Sequence, residues 1–233
     1  TQGPGMVGSL SVGLNLAKGL SLGLSKRLLG VHHMLGHLLV PRMNQQDQLK
    51  FPIISLLASG GHTMLVESQD ILTHKILVDT IDIAIGDSMD KCGRQLGIKA
   101  NMIAKEMEKL ALKTDNSKNL LHLPNPLSAS HNKRKLSFSF SPFITALNNQ
   151  IEAMTINDET TLNHLAFEIQ ESHFNHLIYK IKQYMVKHGD VNSKINFVAS
   201  GGVSCNKRLR TKLETELREY FESFHYPSNN ELC

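Results

Sequence analysis

The sequence predicts an α/β protein whose two halves face one cleft. An apolar run at 52–58, bounded by Pro and Gly, is typical of a strand buried on both faces. It leads into Ala-Ser-Gly-Gly at 58–61, and a second apolar run leads into the same four residues at 199–202. The spacing of 141 residues between Ser59 and Ser200 suits two homologous α/β halves.

The remaining elements follow from hydrophobic periodicity. Small and apolar residues at helical spacing predict helices over 8–22, 32–39, 87–97, 102–112 and 160–187, and the second of these ends before Pro41. The helix at 160–187 is the longest and carries a continuous apolar stripe, so we expect it in the core. Short apolar runs predict strands over 28–31, 64–66 and 76–78. Alternation over 136–141 predicts an extended stretch, and Pro142 then lies in the first turn of a helix.

Composition excludes several classes of protein. The chain has 233 residues, of which 41% are hydrophobic and 20% charged, and it contains no apolar run near the ~18 residues that a membrane helix needs. Cys92, Cys205 and Cys233 have no CxxC spacing, which excludes a disulfide scaffold and a zinc finger. A net charge of +4 permits contact with nucleic acid without requiring it.

The two glycine turns are candidate phosphate sites. Small residues at the carboxyl end of a strand let backbone amides approach a phosphate, although glycine pairs also end strands that bind nothing. After the second turn, Asn206 lies near the start of a helix at Lys207. Asn206 or Ser204 either contributes to a nucleotide site or caps that helix, and both roles are compatible.

Two histidines four residues apart are a candidate metal grip. His33 and His37 share one face of a helix, and a third ligand must come from elsewhere. Packing histidines are the alternative interpretation. The chemistry of HExxH peptidases is excluded, because Met34 stands where their glutamate would be.

Acidic residues cluster around Gly86 before a helix. Asp79, Asp82, Asp87 and Asp90 are typical of caps that stabilise the helix dipole, and a carboxylate in a nucleotide cleft also commonly accepts ribose hydroxyls. Asp90 is our candidate for the ribose contact.

Six short motifs occur in an order that resembles one family. They are Gly-Pro-Gly at 3–5 with Gly-Ser-Leu at 8–10, Val-His-His-Met at 31–34 with Gly-His at 36–37, Ser-Gly-Gly-His-Thr at 59–63, Gly-Asp at 86–87 with Asp-Lys at 90–91, Phe-Ser-Phe-Ser at 138–141, and Ser-Gly-Gly-Val-Ser at 200–204 with Asn206. Together they resemble the TsaD family of tRNA threonylcarbamoyladenosine synthases over nearly the whole chain. The stretches at 79–86 and 209–217 are most similar to the mitochondrial branch of that family in fungi.

The resemblance implies a fold and a reaction. The fold would be the two-lobed actin/Hsp70-like (ASKHA) α/β fold with duplicated sheet domains. Residues 1–58 would be the remainder of the amino-terminal lobe and 59–233 an incomplete carboxy-terminal lobe, with the adenylate and metal site in the cleft between them. The reaction would transfer a threonylcarbamoyl group from threonylcarbamoyl-AMP to N6 of the adenosine next to the anticodon, in tRNAs that read codons beginning with A.

The resemblance also implies site residues, a cofactor and partners. One divalent ion, zinc or iron, would be held by His33 and His37. The loop that holds the adenylate and the further nucleotide contacts would be Leu57, Ala58, Ser59, Gly60, Gly61, Asp90 and Asn206, with Glu106 and Cys205 as weaker matches. A separate enzyme would supply the threonylcarbamoyl-adenylate, and the protein would be a mitochondrial homodimer.

The chain departs from the family pattern in three places. Leu35 replaces the usual glutamate of the histidine motif, and the expected glycine-rich stretch is Lys-Ala-Asn-Met-Ile at 99–103. The family's opening acidic strand would lie before Thr1, and only Cys233 matches its closing motif, so we expect the third metal ligand to be missing. A fragment lacking both ends should bind nucleotide poorly and be inactive alone.

Two other functions compete with the transferase. A non-catalytic ATP- or AMP-binding module of the same fold is the first alternative, because a fold does not determine the chemistry. A metallopeptidase rests only on the paired histidines and is the weakest hypothesis.

Overall fold

The centre of the molecule is a six-stranded mixed sheet. The computed structural model describes residues 1–43, 49–114, 118–127, 136–152, 154, 158–188 and 195–227. The strands lie in the order β4-β3-β2-β1-β5-β6. Their bounds are β1 Ile53–Ala58, β2 Thr63–Ser68, β3 His74–Thr80, β4 Ser137–Phe138, β5 Ile195–Ser200 and β6 Phe221–His225. β2 is antiparallel to β1 and β3, and the other neighbouring pairs are parallel.

The described part of the chain contains seven α-helices. They are α1 Val7–Gly23, α2 His33–Leu39, α3 Ile85–Gln95, α4 Ile103–Ala111, α5 Ser141–Ile151, α6 Glu159–His188 and α7 Lys207–Glu216. None of the helices in the described ranges is long and apolar enough to cross a membrane.

The main core lies between one face of the sheet and the helices α3 to α7. Ile54, Leu56 and Ala58 of β1 point into it, and the predicted apolar stripe of α6 is buried there, as shown by Leu165 and Ile181 at 0% exposure. Burying such side chains contributes on the order of 1.5–3 kcal/mol each. The opposite face of β1 packs on α2, whereas no residue of α1 is buried.

Both glycine turns lie at the same edge of one sheet. β1 and β5 are parallel neighbours, and Leu57 pairs with Ser200. The carboxyl ends of parallel strands meet at one edge, so the two copies of Ala-Ser-Gly-Gly come together there. The expectation that each copy belongs to a separate half was therefore wrong, because strand pairing across 141 residues brings them together.

Most predicted elements are confirmed, including the early helices, β1 to β3 and the long helix α6. The predicted strand at 28–31 was wrong: this stretch has no regular structure, although Val31 O accepts a hydrogen bond from Gln2 N at 2.9 Å. The stretch at 136–141 forms only the two-residue β4. Residues 53–58 lie in the same sheet as residues after 58, while the division of the chain into two lobes stays a prediction.

Candidate functional site

The first turn, at 58–61, contacts the start of α3 and the second glycine turn, and both segments have a glycine at the point of contact. A Cβ on Gly86 would lie 2.8 Å from Ser59 O and 2.9 Å from Gly60 N. A Cβ on Gly201 would lie 2.5 Å from Ala58 O, and the φ of Gly201 is +92°. Three backbone segments therefore meet at this edge more closely than any other residue type would permit.

The remaining glycines of the two turns face open space. A Cβ added to Gly60, Gly61 or Gly202 would meet no atom within 4 Å. This edge of the sheet therefore has room for a ligand close to the backbone.

The Ser59 side chain organises the first turn. Its hydroxyl oxygen accepts hydrogen bonds from Gly61 N at 3.3 Å and His62 N at 3.0 Å, and Ser59 N donates to His62 O at 2.9 Å. Of the amides that the sequence assigned to a phosphate, that of Gly61 is therefore turned toward Ser59. These hydrogen bonds fix the shape of the turn, and its open side is at Gly60.

The two histidines of α2 converge as the sequence predicted. His33 Nε2 and His37 Nε2 are 3.2 Å apart, and the rings meet edge to face. Two nitrogens bound to one tetrahedral metal at about 2.0–2.1 Å lie roughly 3.3 Å apart, so the observed separation fits a shared ion. Without an ion, one nitrogen donates to the other in a hydrogen bond.

Helix α2 is held against the sheet from two sides. Met34 and Leu38 pack on Leu57 and Val66, so Met34 is part of an apolar cluster. The Ser200 hydroxyl donates to His37 O at 2.9 Å. The second glycine turn thereby positions the predicted metal ligands next to the first glycine turn.

Burial lowers the pKa of His37, and the neighbouring His33 and His62 lower it further. The pKa of His62 is lowered by burial and by His33, and Asp79 partly opposes this effect. A lowered pKa favours neutral imidazole, which is the form that binds metal ions.

A third metal ligand is not in place among the residues that the structure describes, where no group of three His, Cys, Asp or Glu side chains is arranged to hold an ion. His33 and His37 thus fit two positions of a metal site. Cys233, the last residue of the chain, lies outside the described residues.

Asp90 and Glu106 both interact with other groups near α4. Asp90 Oδ1 accepts a hydrogen bond from Ala104 N at 2.9 Å, so the carboxylate caps α4. Glu106 forms an exposed ion pair with Lys109 at 2.7 Å. Their predicted nucleotide contacts stay predictions. Asp90 lies inside α3 and caps the next helix, α4, rather than the helix start at which the acidic cluster was expected to act.

Asn206 is buried and caps α7. Its Oδ1 accepts from Leu209 N at 3.1 Å and its Nδ2 donates to Gln170 Oε1 at 2.8 Å. The capping interpretation is confirmed.

Burial raises the pKa of the Cys205 thiol and raises that of Cys92 to about 12, so both thiols stay protonated and behave as packing residues.

Asp82 binds the Phe-Ser-Phe-Ser motif, whereas the sequence showed it only as a member of the acidic cluster. Its carboxylate accepts hydrogen bonds from Ser139 Oγ at 2.6 Å, Ser141 Oγ at 2.7 Å and Phe140 N at 2.9 Å. Burial alone would raise the pKa of Asp82, but these hydrogen bonds outweigh it and hold the pKa below its usual value. The Phe-Ser-Phe-Ser motif is therefore bound to the loop before α3.

The sequence did not predict a group of buried hydrogen bonds made by histidines on the core side of the sheet. Ser88 Oγ lies 2.8 Å from His173 Nε2, and His176 Nε2 accepts from Ser139 N at 3.2 Å. His173 is 0% and His176 2% exposed. Both lie in the apolar stripe of α6, so periodicity alone could not distinguish them from core residues.

Two short basic runs, at 133–135 and 207–208, are candidates for RNA contact. Arg208 forms a two-point ion pair with Glu171 at 2.8 and 3.1 Å. The run of basic residues at 133–135 lies outside the described residues.

Comparison with known proteins assigns the family. The model of the TsaD family, described as tRNA N6-adenosine threonylcarbamoyltransferase, matches residues 1–233. The chain belongs to the TsaD family. It is 39% identical over 241 residues to the mitochondrial tRNA N6-adenosine threonylcarbamoyltransferase of Schizosaccharomyces pombe, covering 100% of this chain and 56% of that TsaD protein. It is 37% identical over 211 residues to the enzyme of the same name from Francisella philomiragia, covering 91% of this chain and 60% of the relative.

These figures mean that the chain spans a little over half the length of the curated TsaD relatives it matches. Among solved structures it is similar to component A of (R)-2-hydroxyglutaryl-CoA dehydratase from Acidaminococcus fermentans, with a TM-score of 0.53 at 13% identity over 91% of this chain and 66% of that one. This similarity concerns the fold alone, and it agrees with the actin-like α/β fold expected of a TsaD protein.

Proposed function

We propose that the protein transfers a threonylcarbamoyl group from threonylcarbamoyl-AMP to N6 of the adenosine next to the anticodon, in tRNAs that read codons beginning with A. Membership of the TsaD family carries this proposal. The meeting of two glycine turns and a histidine pair at one sheet edge supports it, because nucleotide and metal would then lie side by side.

The reaction is a direct acyl transfer, which needs no covalent intermediate with the enzyme. N6 of the adenosine attacks the carbamoyl carbon, a C–N bond forms, the bond from that carbon to the phosphate oxygen breaks, and AMP leaves as N6 loses a proton to solvent. The chain would bind and orient AMP at the turn formed by Ser59, Gly60 and Gly61. Further nucleotide contacts would come from Asp90 and Asn206.

His33 and His37 would hold one divalent ion, zinc or iron. Such an ion supplies Lewis-acid stabilisation of charge on a carbonyl or phosphate oxygen. The hydrogen bond from Ser200 to the His37 carbonyl would keep the pair in register with the nucleotide.

The structure offers no particular support for the two alternatives. The peptidase hypothesis lacks a base, because Met34 stands where the glutamate of an HExxH motif would be, and its side chain packs on Leu57 and Val66. A non-catalytic nucleotide-binding module would use the same edge of the sheet, and only the reaction product distinguishes it from the transferase.

The proposal extends to the cellular setting. The fungal relative is named as mitochondrial, which supports a mitochondrial location. A separate enzyme would supply threonylcarbamoyl-adenylate, and the working form would be a homodimer.

Mass spectrometry of tRNA nucleosides tests the proposal. A chain of the relatives' length is incubated with tRNA, threonine, bicarbonate, ATP and a threonylcarbamoyl-adenylate synthase. New threonylcarbamoyladenosine is the expected result. Unmodified tRNA, in a mixture where the synthase has formed threonylcarbamoyl-adenylate, would contradict it.

A further inference from the structure

We propose that Asp82 is a positioning residue for the first glycine turn together with His62, acting through the start of α3. Residues 58–62 are called the adenylate turn below. This inference deepens the proposed function and rests on it for the identity of the nucleotide. Asp82 does not have to touch the ligand. Its role would be to set how closely Gly86 approaches Ser59 and Gly60.

The first step of the argument is that Asp82 holds the loop before α3 in place. Its carboxylate accepts hydrogen bonds from Ser139, Phe140 and Ser141, all at the join between β4 and α5, and from Ile83 N at 2.7 Å. Charged acceptors form the stronger class of hydrogen bonds in proteins. The loop that begins at Asp82 is thereby fixed to the end of a neighbouring strand.

The second step is that this loop leads into the start of α3, which contacts the adenylate turn. Ile85 N donates to Thr63 Oγ1 at 2.9 Å, and Gly86 N donates to Ser59 O at 3.3 Å. The backbones are so close here that a Cβ added to Gly86 would lie less than 3 Å from the backbone of Ser59 and Gly60. A small displacement of the start of α3 would therefore move or loosen the turn.

The third step is that the join between β4 and α5 is itself rigid. Phe140 is fully buried, its carbonyl accepts from Ser88 Oγ at 3.0 Å, and Ser139 N donates to His176 Nε2. The Asp82 carboxylate thus connects the turn to a fixed part of the core rather than to a second loop.

Asp70 provides a matched control. It also accepts three hydrogen bonds within a tight turn, from Leu72 N at 2.7 Å, Thr73 N at 2.8 Å and Thr73 Oγ1 at 2.9 Å. It follows β2, whose last residue Ser68 pairs with the first residue of β1. Asp70 therefore lies at the opposite edge of the sheet from the adenylate turn.

The test compares Asp82→Asn with Asp70→Asn in two measurements. Hydrogen exchange on the present chain follows the amides at 58–62, and calorimetry on a chain of the relatives' full length measures the affinity for AMP. For Asp82→Asn we expect exchange at 58–62 to accelerate about tenfold and the Kd for AMP to rise about tenfold, with neither change in Asp70→Asn.

Unchanged exchange at 58–62 in Asp82→Asn would overturn the proposal, even if exchange increased at 137–145. Should Asp82→Asn fail to fold, Ser141→Ala removes one donor to Asp82 and must accelerate exchange at 58–62 in the same direction. If the unmodified long chain bound no AMP, the proposed function would fail, while the exchange comparison would still decide the role of Asp82.

Discussion

Replacing Gly201 with alanine should destabilise the fold more than the same change at its neighbour Gly202. Gly201 has a φ of +92° and a ψ of 161°, a conformation that is essentially restricted to glycine. A Cβ at this position would lie 2.5 Å from Ala58 O and 2.9 Å from the Ala58 carbonyl carbon. Both neighbours are backbone atoms of β1, so neither can rotate away.

The magnitude follows from two contributions. Strained backbone of this kind costs about 1–3 kcal/mol per residue, and forcing extra atoms into a packed region typically costs about 1–3 kcal/mol. We therefore expect the free energy of unfolding to fall by about 3 kcal/mol. Gly202→Ala should change it by about 0.5 kcal/mol or less, since its Cβ would meet nothing within 4 Å.

Urea unfolding followed by circular dichroism measures both variants. With a slope of about 2 kcal/mol per molar urea, Gly201→Ala should lower the midpoint by roughly 1.5 M. Equal midpoints for Gly201→Ala and Gly202→Ala would refute the close approach of the two glycine turns.

Three further predictions concern the site and the core. Gly60→Val should leave stability nearly unchanged and weaken AMP binding about tenfold or more by calorimetry, because its side chain would enter the open space beside the turn. His33→Ala should abolish metal binding and metal-dependent transfer by a chain of the relatives' length while the fold remains, since the ring is half-buried and contributes little to the core. Burial lowers the pKa of His173 to about 4 and of His176 to about 3 from an ordinary value of 6.5. The unfolded chain therefore binds more protons below pH 6.5, so stability is complete above that pH and falls as the pH drops toward 4, by about 3 kcal/mol for His173 alone.

Each of these predictions has a clear opposite result. Unchanged AMP affinity in Gly60→Val would remove the turn from the binding site. Full metal content in His33→Ala, measured by elemental analysis, would remove the histidine pair from the metal site. If His173→Phe showed the same loss of stability between pH 6.5 and 4 as the unmodified protein, that histidine would not be a buried neutral group.

Local patterns predicted the elements that are buried in a regular way. The continuous apolar run of β1 and the stripe of α6 both face the core, so hydrophobic periodicity was sufficient. β6 was missed because four of its five residues are only partly buried or exposed, which weakens the pattern of a strand. The strand predicted at 28–31 did not form because the segment at 2–3 meets only its end, at Val31 and His32, and pairing is not encoded in a short stretch.

The candidate site was predicted in part for the same reason. The convergence of His33 and His37 follows from helical spacing alone. The meeting of the two glycine turns depends on the pairing of β1 with β5. The role of Asp82 depends on Ser139 and Ser141, which lie more than fifty residues later in the sequence. Such contacts arise from tertiary structure, which one sequence does not display.

Single-turnover transfer from preformed threonylcarbamoyl-AMP tests the central claim most directly. The carbamoyl carbon is labelled with a heavy isotope, and a chain of the relatives' length is mixed with tRNA in the absence of ATP. The account predicts that the label appears in threonylcarbamoyladenosine next to the anticodon, with one AMP released for each nucleoside modified. Release of AMP with no label in tRNA would contradict the assignment of this chain as a transferase.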